Sequence, residues 1–121
     1  MPKHNLDYLG FHGRSICVTG AGGSIGSELC KQIILQKPSS LILLEISEPS
    51  LYKVLRDLDE INTNNSLIKG VLGSACDEDL IHNIFRNNNI DLVFHAAAYK
   101  HVPLVENNPI EGIKNNVIST K

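Results

Sequence analysis

Tryptophan is absent from this chain of 121 residues, methionine occurs once, and phenylalanine and tyrosine together make up only 5% of it. Any core must therefore be built from branched aliphatic side chains. No apolar run approaches the ~20 residues that span a bilayer, and the first residues lack the basic, apolar and small-residue succession of a secretory signal. With 11 Lys and Arg against 13 Asp and Glu, the net charge is −2, so the cationic face that nucleic acid or an anionic membrane requires is missing. The cysteines, Cys17, Cys30 and Cys76, are odd in number and show no C-x-x-C spacing. Neither a disulfide framework nor a zinc ribbon is expected, and a reducing cytoplasm is the simple setting. His4, His12, His82, His95 and His101 show no ligand spacing, so no metal site is expected.

What the chain does have is a glycine turn. The apolar run Ser15-Ile16-Cys17-Val18-Thr19 leads into Gly20-Ala21-Gly22-Gly23-Ser24-Ile25-Gly26, and Ile25, Leu29 and Ile33 then recur at helical spacing. This reads as a buried strand, a tight turn and a helix whose first N–H groups face outward, an arrangement that suits a pyrophosphate. Gly20 allows the sharp exit from the strand, Gly22 and Gly23 leave no Cβ before a phosphate, and Gly26 allows close helix packing. A second apolar run, Leu41 to Leu44, ends at Glu45, about 20 residues beyond the last glycine, where an acid can reach the adenosine ribose of a dinucleotide. An unliganded turn is the plain alternative, since turns collect glycine for conformational reasons.

The length fits one compact domain. Residues 1–13 show no period and read as an irregular lead-in; 14–121 read as the domain. After the first strand and helix, Lys37-Pro38-Ser39-Ser40 breaks the chain before a strand over 41–46. Ser47 and Pro49 then open a helix with Leu51, Val54, Leu55, Leu58 and Ile61 on one face, ending near Asn62. A third strand is expected over 67–73, a third helix over 77–88 with Leu80, Ile81, Ile84 and Phe85 inward, and a fourth strand over 90–95. Asparagines at 64–65 and 87–89 mark turns. Asn108 and Pro109 signal a last helix with Ile110, Ile113 and Val117 on its inner face. The fold class is α/β: the N-terminal half of a Rossmann-type doubly wound parallel sheet, strand order 3-2-1-4, with right-handed crossovers. Truncated there, it leaves the fourth strand as an open apolar edge, and self-association through that edge is expected.

Ala96-Ala97-Ala98-Tyr99-Lys100-His101 follows the fourth strand, at the carboxyl ends where such folds bind ligands. Small residues there let a dinucleotide ribose lie against the backbone, or let a helix pack closely. Lys100 suits a phosphate or a ribose hydroxyl, or is an ordinary solvated lysine; His101 is site-lining or surface. The acidic clusters at 57–60 and 77–79 fall on a polar helix face and a helix start, and neither forms a catalytic pair.

These segments resemble the extended short-chain dehydrogenases/reductases, and within them the CapD-like polysaccharide biosynthesis proteins, the nucleotide-sugar 4,6-dehydratases. The glycine turn is shared by the superfamily; the His95 to Glu106 segment, with its Ala-Tyr-Lys-His-Val-Pro, is narrower and points to the CapD-like group. Leu44 to Glu48, Leu51-Tyr52 and Asn116-Val117 add to the likeness, which runs from about Arg14 onward. The resemblance implies that Gly20, Gly23, Ser24, Ile25 and Gly26 hold the pyrophosphate, Glu45 the ribose, and Ser74 and Ala75 the adenine. Ala96, Ala97 and Lys100 would line the nicotinamide half, with Asn116 supporting the loop. Glu45, with no arginine directly after it, favours NAD over NADP. Two residues depart from the family: Ser74 replaces an aspartate, and Ser119, expected in the last helix, replaces a glycine. None of Tyr8, Tyr52 and Tyr99 has a lysine four residues on, so the family's proton-transfer pair is missing and no catalytic residue is assigned.

In the family, NAD takes a hydride from C4 of the sugar, water leaves across C5 and C6, and the hydride returns to C6. The implied function is the NAD-binding portion of such a dehydratase acting on a UDP-N-acetylglucosamine-type substrate. A nucleotide-sugar epimerase and a non-catalytic dinucleotide-binding module are the alternatives. Relatives often carry N-terminal membrane helices; this chain is expected to lie in the cytoplasm, on its own or as the cytoplasmic domain of an inner-membrane protein.

Overall fold

A computed structural model describes residues 10–96 together with the backbone of 118 and 119. Strands and helices alternate: β1 (Ser15–Thr19), α1 (Ser24–Ile34), β2 (Ser40–Glu45), α2 (Glu48–Ile61), β3 (Leu67–Leu72), α3 (Glu78–Asn88), β4 (Leu92–His95) and the short β5 (Ile118–Ser119). The sheet order is β3-β2-β1-β4-β5. The first four strands are parallel, with Cys17 opposite both Ile42 and Val93, so the order 3-2-1-4 expected of a Rossmann-type half is the one observed.

Period-two alternation splits the core. Ile16, Val18, Leu41, Leu43 and Phe94 point to the face covered by α1 and α2, where Leu29, Ile33, Leu51, Val54 and Leu58 meet them. Cys17, Ile42, Leu44 and Val93 point to the other face, under Ile84 of α3 and Ile90. Every residue of β1 and β2 is buried, which is why both read as continuous apolar runs. β3 does not share this cover: Leu67 and Leu72 are 59% and 53% exposed, because the strand lies at the sheet's outer edge.

Capping residues set the helix starts. The Ser47 hydroxyl accepts the Ser50 N–H, Pro49 lies in the first turn of α2, and Asn62 closes it. The Asp77 carboxylate accepts the Leu80 N–H at the start of α3. Each helix-to-strand connection contains one non-glycine residue in the left-handed region: Lys37 (φ 60°), Asn65 (φ 58°) and Asn89 (φ 51°). Two of these are the turn asparagines. Beside them, at the amino ends of the strands, the Ser15 hydroxyl pairs with that of Ser40 and donates to the Asn88 carbonyl, while the Asp91 carboxylate accepts the Ser15 N–H at 2.9 Å.

Three expectations are corrected. β4 is not an open edge, because β5 pairs with it antiparallel, Ser119 opposite Leu92 and Ile118 opposite Val93. The edge on which self-association was expected is thus paired within the chain over those two residues, and the sheet is mixed. Ser119 accordingly lies in a strand rather than a helix, as extended backbone can satisfy the β4 hydrogen-bonding groups and a helix cannot. Phe11, assigned to the irregular lead-in, is 2% exposed and packs edge-on against Phe94 with ring centroids 5.6 Å apart, so the core begins before the first strand. The helix expected at 108–117 lies outside the described residues.

Cys17 and Cys30 are buried and Cys76 is exposed. Burial pushes the Cys17 thiol up to about 12 and raises Cys30 further, by burial first and then by its proximity to Cys17. A maleimide added to the native chain is expected to modify Cys76 alone and to reach all three thiols only in denaturant. Mass spectrometry would read this, and rapid native labelling at Cys17 would contradict the packing of β1.

Candidate functional site

The carboxyl ends of β1, β2 and β4 converge on the glycine turn. Gly20 leaves β1 at φ 69°, a conformation glycine adopts without steric cost. Three successive amides of the turn are then taken by the end of β2: Gly20 N–H and Ala21 N–H donate to the Leu44 carbonyl at 2.8 and 3.2 Å, and Gly22 N–H donates to Glu45 Oε1 at 2.8 Å. Gly23 N–H closes back onto the Gly20 carbonyl at 3.2 Å. Gly23 is also the N-cap of α1 and brings no side-chain cap. The amides of Ser24, Ile25 and Gly26 are therefore left without an acceptor among the described residues, and the positive end of the α1 dipole lies with them. A Cβ at Gly26 would overlap the Gly20 carbonyl oxygen, so only glycine lets the helix begin this close to the turn.

Gly22 has a packing reason to be glycine. A Cβ there would meet Ser50 Cβ at 2.6 Å and Glu45 Cδ at 3.0 Å. Its missing side chain makes room for the start of α2, and its N–H is committed to Glu45. Glu45 is itself 6% exposed; its Oε2 accepts the Ser47 N–H at 2.9 Å, and its carbonyl accepts Gly73 N–H at 3.0 Å. Ser74 and Ala75 follow β3 on the same edge. The Ser74 hydroxyl accepts Cys76 N–H at 3.0 Å and its carbonyl accepts Asp77 N–H, while Ala75 packs on the α3 side of the core. Ala96, at the end of β4, is 2% exposed and belongs to the core under α1 and α2. Ala97, Ala98, Lys100, His101 and Asn116 lie outside the described residues.

Sequence reasoning missed Ser50, Thr19 and His95 as parts of this edge. Thr19 Oγ1 lies 3.4 Å from His95 Nδ1, joining the ends of β1 and β4 next to Gly20. The only sequence signal was that both are the last residues of neighbouring parallel strands. Among the described residues, no group of three or more His, Cys, Asp or Glu side chains is arranged to hold a metal. No helix among them is long and apolar enough to cross a membrane.

The parallel strand order is shared with solved structures of short-chain dehydrogenases/reductases. One such structure, from Mycobacterium ulcerans, superposes with a TM-score of 0.64 at 16% identity over 88% of this chain and 46% of that one, a likeness of fold. Pen from Bacillus thuringiensis superposes equally well, TM-score 0.64, at 28% identity over 86% of this chain and 31% of that one. The model of the polysaccharide biosynthesis protein family matches residues 16–121, and the chain belongs to that family. It is 40% identical to the probable polysaccharide biosynthesis protein EpsC of Bacillus subtilis, over 90% of this chain and 18% of that protein. Against the capsular polysaccharide biosynthesis protein CapD of Staphylococcus aureus the identity is 41%, over 89% and 18%. Against an inverting UDP-N-acetylglucosamine 4,6-dehydratase of Campylobacter jejuni it is 32%, over 88% and 30%. The chain thus spans less than a third of the length of these relatives.

Half-buried His95 is held below its ordinary value of 6.5 by loss of hydration. The unfolded chain therefore binds this proton more readily than the native one, and stability rises with pH from the lowered native value up to 6.5. Urea denaturation at about pH 5.5 and about pH 7.5 is expected to show lower stability at the acid end. His95→Gln should shrink that difference; an unchanged difference would remove His95 from the account.

Proposed function

We propose that this chain is the dinucleotide-binding part of a nucleotide-sugar 4,6-dehydratase, with NAD as its dinucleotide. The observation that carries the reading is the set of three unclaimed amides at Ser24, Ile25 and Gly26, on the strand edge that also presents Glu45. A pyrophosphate fits that cradle: it needs donors, the helix dipole and an approach free of side chains. Glu45 favours NAD, because a 2′-phosphate would meet its negative charge, and Ser74 and Ala75 are assigned to the adenine side. The activity of the Campylobacter jejuni relatives supports a sugar nucleotide of the UDP-N-acetylglucosamine type as substrate of the whole protein. NAD, when bound, supplies hydride transfer; this part of the chain binds and orients it and holds its charge. Three free thiols are consistent with a cytoplasmic setting.

Calorimetric titration of the purified chain with NAD and with NADP tests the reading. NAD is expected to bind at least about tenfold more tightly than NADP, a difference of ~1.4 kcal/mol. Gly26→Ala should abolish binding of both, since its Cβ displaces the start of α1. Equal binding of the two dinucleotides would overturn the choice of NAD, and unaltered binding by Gly26→Ala would remove the site from this turn.

A further inference from the structure

Glu45 is 6% exposed, and both of its carboxylate oxygens already face backbone donors, Gly22 N–H at 2.8 Å and Ser47 N–H at 2.9 Å. These donors belong to two different segments: Gly22 is in the turn before α1, and Ser47 caps α2. The cap is reinforced by its own hydroxyl, which donates to Ser50 Oγ at 3.1 Å and accepts the Ser50 N–H. Ser50 in turn occupies the space beside Gly22 that any side chain there would need. The carboxylate is thus a buried cross-link between the turn and the first residues of α2, made of two charge-assisted hydrogen bonds.

We infer that Glu45 is a positioning residue, a strut that acts on a bound pyrophosphate through Gly22 by holding the turn so that the Ser24, Ile25 and Gly26 amides converge. The inference rests on the dinucleotide reading of the turn, but it assigns Glu45 a task separate from any contact with ribose. The two tasks differ in sign for a ligand without a sugar. As a bare negative charge near the turn, Glu45 repels inorganic pyrophosphate, and its removal strengthens binding. As a strut, its removal leaves two part-buried amides without their acceptor, releases the turn and weakens binding.

Two measurements on the whole chain decide. Amide hydrogen exchange, followed by NMR without ligand, is expected to accelerate at Gly22 and Ser47 by about tenfold or more in Glu45→Ala, while Val18 and Leu43 keep their rates. Where Glu45→Ala fails to fold, Glu45→Gln serves: the two amides face different carboxylate oxygens, and the NH2 that replaces one of them cannot accept, so exchange must rise at Gly22 or at Ser47. Unchanged exchange at both overturns the strut. Titration with inorganic pyrophosphate is expected to show about tenfold weaker binding in the variant, with thermal stability of the remainder of the fold retained. Equal or tighter pyrophosphate binding overturns the proposal. If the unaltered chain binds neither pyrophosphate nor NAD, the dinucleotide reading fails, and acceleration at Gly22 still supports the cross-link.

Discussion

The geometry of the glycine-turn edge depends on one local constraint: the end of β2 holds the turn that follows β1. Gly20, Ala21 and Gly22 donate in succession to the Leu44 carbonyl and the Glu45 carboxylate, so the turn has no freedom to drift from the sheet. Beyond those donors and Gly23, the amides of Ser24, Ile25 and Gly26 at the start of α1 have no acceptor among the described residues. An anion site of this kind is made as much by what is already bonded as by what is free.

That constraint needs two buried strands in parallel register. β1 and β2 pair along their whole length and are buried on both faces, so a one-residue slip would turn each strand's two apolar sets toward the wrong helices. Cores on both sides of the sheet, aliphatic apart from a few phenylalanines, fix the register, and the register fixes the turn.

Much of the fold was legible because its signals are local and periodic: the apolar runs at 15–19 and 41–45, the helical stripe through Leu51, Val54 and Leu58, and the Ser47 and Asp77 caps. What escaped was non-local. Phe11 has no periodic neighbour and is revealed only by Phe94, far along the chain. The β5 pairing joins two residues to a distant strand, and two residues show no period at all. At the candidate site, the residue types at Gly20, Gly26 and Glu45 pointed to the edge where the carboxyl ends of the strands meet the turn. The reason for Gly22 did not show, because it lies in Ser50 and a buried carboxylate brought together by tertiary packing. Ser74 marked the end of β3, and that its hydroxyl also accepts the Cys76 N–H within its own loop had no signal in composition.

The left-handed residues Lys37, Asn65 and Asn89 all sit in helix-to-strand connections, at the end of the sheet away from the turn. Holding a non-glycine side chain in that conformation costs on the order of 1 kcal/mol, least for asparagine. Lys37 bears this cost without asparagine's local hydrogen bonding, and glycine there would release it. The two ends of the sheet thus differ: at one the glycine turn is fixed by hydrogen bonds and close packing, while the opposite end stores adjustable strain. Thermal tolerance can therefore be tuned, in evolution or by engineering, without a residue of the glycine-turn edge being touched.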